Sequence, residues 1–128
     1  MTERIMAETG ETFEVVEAKK RTMTTTDPAF VAYQKVVQTT FGRVLREFAQ
    51  VVEEYEAKSG LNHEHVYLSG GATLFPSFDA LVSTTLSRSV SYLQPFDKVA
   101  YPAFMEDTLR VIGPTFAPAL GAALRHFE

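Results

Sequence analysis

From residue 30 onward, apolar side chains recur at spacings of three and four. Phe30, Tyr33, Val37, Phe41, Val44, Phe48, Val51 and Tyr55 make one stripe, which Val31, Leu45 and Val52 widen. That period predicts a single helix reaching about residue 58 and buried on more than a narrow seam. Asp27-Pro28 is its start signal, with an acceptor at the N-cap and proline at the first helical position. Lys58-Ser59-Gly60 ends it. Gly42, near the middle, costs about 1 kcal/mol against alanine and marks a bend or a close contact.

Upstream the pattern is shorter. Residues 2–9 predict a helix capped by Thr2 and ended by Gly10, and Phe13–Arg21 a second helix capped by Thr12 with Glu14 in its first turn. The stretch 22–26 is uncharged and β-branched, either a short strand or a connector. Downstream, His65–Leu68 predicts a strand that runs straight into Ser69-Gly70-Gly71-Ala72. A helix over Ser77–Ser87 follows, with Phe78, Leu81, Val82 and Leu86 on one face, then a strand over Val90–Leu93 stopped by Gln94-Pro95-Phe96. A helix is expected near Pro102–Leu109 and another over Phe116–Phe127. Thr115 is the expected N-cap of that last helix, which places Pro118 in a first turn where its missing amide does no harm. Gly113, Ala117 and Gly121, four apart, offer a smooth packing face.

The order is that of an α/β protein. Only two strands are convincing, however, and parallel strands are normally buried on both faces of a larger sheet. The sheet is expected to be incomplete.

Composition adds exclusions. The chain of 128 residues has a formal net charge of −4 and no cysteine. Disulfides, thiolate metal sites and a cysteine nucleophile are excluded, and a nucleic-acid partner is not expected. The polar N-terminus lacks signal-peptide features, and no apolar run approaches the roughly 20 residues that span a bilayer, so a cytoplasmic protein is expected.

Candidate chemistry centres on Val66–Pro76. A strand ending in two glycines lets a ligand lie against bare backbone, although glycine pairs also make tight strand-to-helix turns. His63, Glu64 and His65 are consecutive and so diverge, a poor metal site. Ser69 and Ser77 have no companion histidine arranged to activate them. Glu53, Glu54 and Glu56 are expected to be a solvated helix face.

The segment Leu68-Ser-Gly-Gly-Ala-Thr-Leu-Phe-Pro76 resembles the adenosine motif of actin-like ATPases, in the form found in the type IV pilus assembly ATPase PilM and the cell-division protein FtsA. Three further segments agree in order. Residues 2–10 with Phe13–Lys20 resemble the paired helices of subdomain IIB, Val90–Phe96 is similar to the strand and Asn-Pro-Phe turn typical of PilM, and Ala117–Arg125 is similar to the closing Ala-Leu-Gly-Leu-Ala-Leu-Arg helix. The resemblance covers almost the whole chain. It implies a partial actin-like (ribonuclease H-like) domain, with residues 1–26 a helical remnant of subdomain IIB and 27–128 the C-terminal half of subdomain IIA.

The resemblance further implies that Gly70, Gly71 and Ala72 pass beside ribose and adenine, and that Glu17 and Lys20 reach the ribose hydroxyls and the adenine edge. A carboxylate accepts from two hydroxyls, and a lysine stem covers a flat ring. The plainer reading of Glu17 and Lys20 is an exposed ion pair three residues apart on one helix. Val16, Lys19, Ser77 and Pro118 depart from the family pattern, which has alanine, an apolar residue and glycine at the first three.

The family's acidic, glycine-containing phosphate hairpins have no counterpart here, and no Gly-x-x-x-x-Gly-Lys loop exists. ATP with Mg²⁺ is therefore a cofactor expected of the parent protein, whereas this chain alone is expected to be inactive. The PilM-like reading implies a place on the cytoplasmic side of the bacterial inner membrane. Its expected partners are inner-membrane pilus assembly proteins, the missing N-terminal half of the fold, and a second copy of the chain. The FtsA branch, which carries a C-terminal amphipathic membrane helix, ranks second because the sequence stops at Glu128. A protein-interaction module without nucleotide is the alternative from another class.

Overall fold

The computed structural model describes residues 1–125 and shows a mixed helical protein with a two-stranded parallel sheet. Three helices come first: α1 (Thr2–Thr9), α2 (Phe13–Thr22) and the long α3 (Phe30–Ser59). Strand β1 (His65–Leu68), a 3-10 turn over Gly71–Leu74, helix α4 (Phe78–Leu86) and strand β2 (Ser89–Tyr92) follow, and helix α5 (Glu106–Leu124) closes the chain.

The local signals mostly act where expected. Gly10 and Gly60 end α1 and α3 in left-handed conformations. Asp27 does its capping one turn early. Its Oδ1 accepts from the Ala29 amide at 2.8 Å and its carbonyl from the Phe30 amide at 2.9 Å, so regular helix begins at Phe30. Thr12 sits at the N-cap of α2 without a side-chain bond, and Met1, not Thr2, holds that position for α1. Residues 24–26 form a turn, which makes the 22–26 stretch a connector. Gly42 is buried within an unbroken helix, where an added Cβ would meet only the tip of Arg46 at 3.4 Å.

β1 and β2 run parallel in the register His65↔Ser89 to Leu68↔Tyr92, and α4 supplies the crossover that parallel strands require. Each strand has a single neighbour, so the sheet has two free edges. One core cluster joins α1 and α2 to the rest. Ile5 and Val16 are buried with Phe30, Tyr33, Val36 and Val37 of α3 and with Phe75, Phe78, Val82 and Leu86 around α4. Phe30 stacks on Phe75 at 5.8 Å, and Phe41 meets Phe78 edge-on at 5.0 Å.

Two expectations are corrected. The apolar stripe of α3 is not buried throughout: Val31, Val44, Phe48, Val51 and Tyr55 are exposed, because the cover reaches only the side of the second half that carries Leu45 and Ala49. The helices expected near 102–109 and 116–127 are one continuous helix, with Pro114 and Pro118 inside it; residues 126–127 of the second lie outside the described residues. A proline withholds the amide that would bond the carbonyl four residues earlier. The carbonyls so freed are those of Arg110 and Pro114, and both find partners elsewhere. Gln94 Nε2 donates to Arg110 O at 3.3 Å, and the Gly70 amide donates to Pro114 O at 2.9 Å. Tertiary bonds thus replace the missing helical ones. Gly113 lies against Gln94, Pro95 and Phe96, where an added Cβ would come within 3.3 Å of Gln94 Oε1, whereas Gly121 faces open space.

Candidate functional site

α2, the 3-10 turn after β1, and the middle of α5 enclose a cleft of about 640 Å³. That volume lies within the ordinary range for small-molecule sites. Glu17, Lys20 and Arg21 form its polar rim, Gly71 and Ala72 supply bare backbone opposite, and Phe41, Ile112 and Phe116 line much of the rest. Four of the five residues singled out from the sequence therefore face one another across a single space. The fifth, Gly70, precedes them in the turn and does not line the cleft.

The polar rim is pre-ordered by Thr2. Its hydroxyl donates to Glu17 Oε1 at 2.6 Å and accepts from Lys20 Nζ at 3.0 Å, while Lys20 Nζ reaches the same Glu17 Oε1 at 2.7 Å. The ion pair of the plainer reading is present, but it is half-buried rather than exposed. Lys20 first and Thr2 second hold the Glu17 carboxyl below its usual range, so it is ionised at neutral pH. Both bonds fall on Oε1, which leaves Oε2 as a further acceptor on a residue that lines the cleft, and an ammonium group with two bonds made has a third hydrogen to give.

The glycine turn has its own geometry. Gly70 takes φ 92° and ψ 177°, a conformation reserved for glycine. Its carbonyl accepts from the Thr73 amide at 3.2 Å and from Thr73 Oγ1 at 2.6 Å, closing the 3-10 turn, while its amide is held by Pro114. An added Cβ on Gly71 would meet nothing within 4 Å, so backbone is left open there to a flat ligand. Ser77, where the resembling family carries glycine, adopts φ 63° without being glycine.

Phe41, Ile112, Thr115, Phe116 and Arg21 were not singled out from the sequence. Phe41 read as core stripe and Phe116 as the start of a separate helix. Only Arg21, adjacent to Lys20, carried a local hint.

The other candidates resolve differently. His63 and His65 do not converge: His63 bonds Glu56 and packs on Tyr55, while His65 tilts against Tyr67 at 4.6 Å. No group of metal-ligating side chains is found among the described residues. Glu53 and Glu54 are solvated as expected, but Glu56 is not. It takes a two-pronged bond from Arg88, with Nη1 to Oε1 at 2.9 Å and Nη2 to Oε2 at 2.8 Å, and accepts from the His63 amide at 2.6 Å. Arg88 chiefly, then the His63 amide, lower its carboxyl to about 2. Among the described residues no helix is long and apolar enough to cross a membrane. No protein-family model and no curated protein sequence matches the chain.

Proposed function

We propose that this chain is part of an actin-like ATPase fold and contributes the adenosine side of a nucleotide cleft. One observation carries the reading: Glu17 and Lys20 of α2 share a cleft with Gly71 and Ala72 from the turn after β1. These are the residues the motif resemblance assigns to ribose and adenine. The free Glu17 Oε2 suits a ribose hydroxyl, the Lys20 stem and Phe116 suit the faces of a purine, and the bare Gly71 backbone admits a ring at van der Waals distance.

The phosphate end has no such provision, since the sequence holds neither an acidic phosphate hairpin nor a glycine-rich lysine loop. Phosphoryl transfer depends on positioning and charge neutralisation. We therefore assign this chain no hydrolysis of its own, and ATP with Mg²⁺ to the assembled parent. A PilM-like parent at the cytoplasmic face of a bacterial inner membrane, working with pilus assembly proteins, is the form of the proposal that the four resembling segments favour, with an FtsA-like parent second.

Calorimetric titration tests the site. Adenosine and a non-hydrolysable ATP analogue should bind the chain with similar, roughly millimolar affinity, because the phosphates find no partners. Gly71→Val, whose side chain would project into the cleft, should remove binding. Undiminished affinity in that variant sinks the proposal.

A second reading, an interaction module, is favoured by the exposed Val44, Phe48, Val51 and Tyr55 on α3 and Val111, Phe116 and Leu124 on α5. Apolar surface of this kind marks contact sites. Light scattering across a concentration series separates the two, since a stable monomer removes self-association from consideration.

A further inference from the structure

The Gly70 amide reaches across to α5 and bonds the carbonyl of Pro114 at 2.9 Å. In an uninterrupted helix that carbonyl would belong to the amide four residues on, at position 118. Position 118 is proline, which has no amide to offer and whose ring pushes against the same carbonyl. We infer that Pro118 is a positioning residue for the wall of the cleft: by withholding its own donor it leaves the Pro114 carbonyl free to hold the glycine turn in place.

Three features make the bond consequential. Gly70 sits in a positive-φ conformation, one of the many open to glycine, and a tether from outside the turn narrows that choice. The same residue's carbonyl closes the turn onto Thr73, so fixing Gly70 fixes Gly71 and Ala72 beside it. The arrangement is also duplicated one helical turn earlier, where Pro114 frees the Arg110 carbonyl and Gln94, from the loop after β2, takes it. Each strand of the parallel pair therefore ends in a loop moored to α5 by a carbonyl that a proline released. Pro118 itself is solvent-exposed, so packing does not account for it.

The effect on ligand affinity rests on the nucleotide reading above; the effect on the turn does not. Site-resolved amide exchange on the full chain tests it. In the wild type the Gly70 amide should be protected. In Pro118→Ala the new amide competes for the Pro114 carbonyl, and Gly70 protection should fall by roughly three- to tenfold, the equivalent of one backbone hydrogen bond. The urea midpoint should hold or rise in the same variant, since alanine suits a helix better than proline. A residue that merely supported the fold would move both readouts down together. An unprotected wild-type Gly70, or protection that survives Pro118→Ala intact, overturns the inference, and the wild-type measurement decides even where the variant does not fold. If adenosine binds the wild type, its affinity should fall in Pro118→Ala by a similar factor, and an unaltered affinity also counts against a positioning role. If adenosine does not bind the wild type, the nucleotide reading fails while Gly70 exchange still judges the tether.

Discussion

The two halves of α3 carry the same repeat and meet different fates. In the first half Phe30, Tyr33, Val36 and Val37 are buried in the cluster that holds Ile5, Phe75 and Val82, with Val31 outside it, and Tyr33 is fully enclosed with its hydroxyl donating to Glu11, which Lys19 also grips. From Val44 to Tyr55 the stripe continues, but Val44, Phe48, Val51 and Tyr55 face solvent and only Leu45, Ala49 and Val52 keep partial cover. Amphipathic spacing thus predicts the helix and the side that wants cover, while the presence of a covering element is a separate fact. The second half is held instead at its far end, by the Glu56–Arg88 pair and the His63 amide. One half is anchored by full burial, the other by partial cover and an ion pair.

The largest effect should come from the buried half. Tyr33→Ala should cost about 3–5 kcal/mol and Val37→Ala about 2 kcal/mol in urea unfolding. Val51→Ser, in the equivalent place on the other half, should stay within about 0.5 kcal/mol. A large loss at Val51 would mean that a partner covers this half in solution, and the contrast would fail.

Acid should act on the opposite half. Glu56 has a folded pKa of about 2, below its unfolded value. Its stabilisation is therefore complete above the unfolded pKa and disappears as pH falls through the folded one. Comparing the thermal midpoints of wild type and Glu56→Gln from neutrality down to about pH 2 should show a gap at neutral pH that starts to narrow near the unfolded pKa of about 4.5 and is mostly gone at about pH 2. Pepsin in that acidic window should cut first near Phe48 and Tyr55. A gap that persists at the acid end contradicts the assignment.

A smaller gain is expected in the partner of the buried half. Ser77 holds a left-handed backbone at the entrance to α4, at a cost that glycine would not bear. Ser77→Gly should raise stability by about 1 kcal/mol, measured by the same urea titration. A loss would show that the serine hydroxyl, rather than the backbone angle, matters there.

Much of this was legible in the residues. The apolar period located α3, the glycines located two helix ends, and the shortage of strands anticipated a sheet with free edges. The cleft was legible only through motif resemblance, since nothing in the spacing of Glu17 and Lys20 says that a turn more than fifty residues later will face them. The continuous α5 was misread for a physical reason. A proline's harm to a helix is judged from the ladder it interrupts, but the carbonyls it frees are bonded by Gly70 and Gln94, residues distant in sequence and adjacent only after folding. The exposure of Val44 to Tyr55 was misread because a repeat reports appetite for cover and not its supply.

The enclosure of Tyr33 has a spectroscopic consequence. The chain contains five tyrosines and no tryptophan, so near-ultraviolet signals belong to phenols. Burial, and then the bond to the Glu11 carboxylate, push the Tyr33 hydroxyl well above the ordinary tyrosine range. In an alkaline absorbance titration this phenol should stay colourless until the junction of α2 and α3 opens, giving that junction an intrinsic optical gauge without any attached dye.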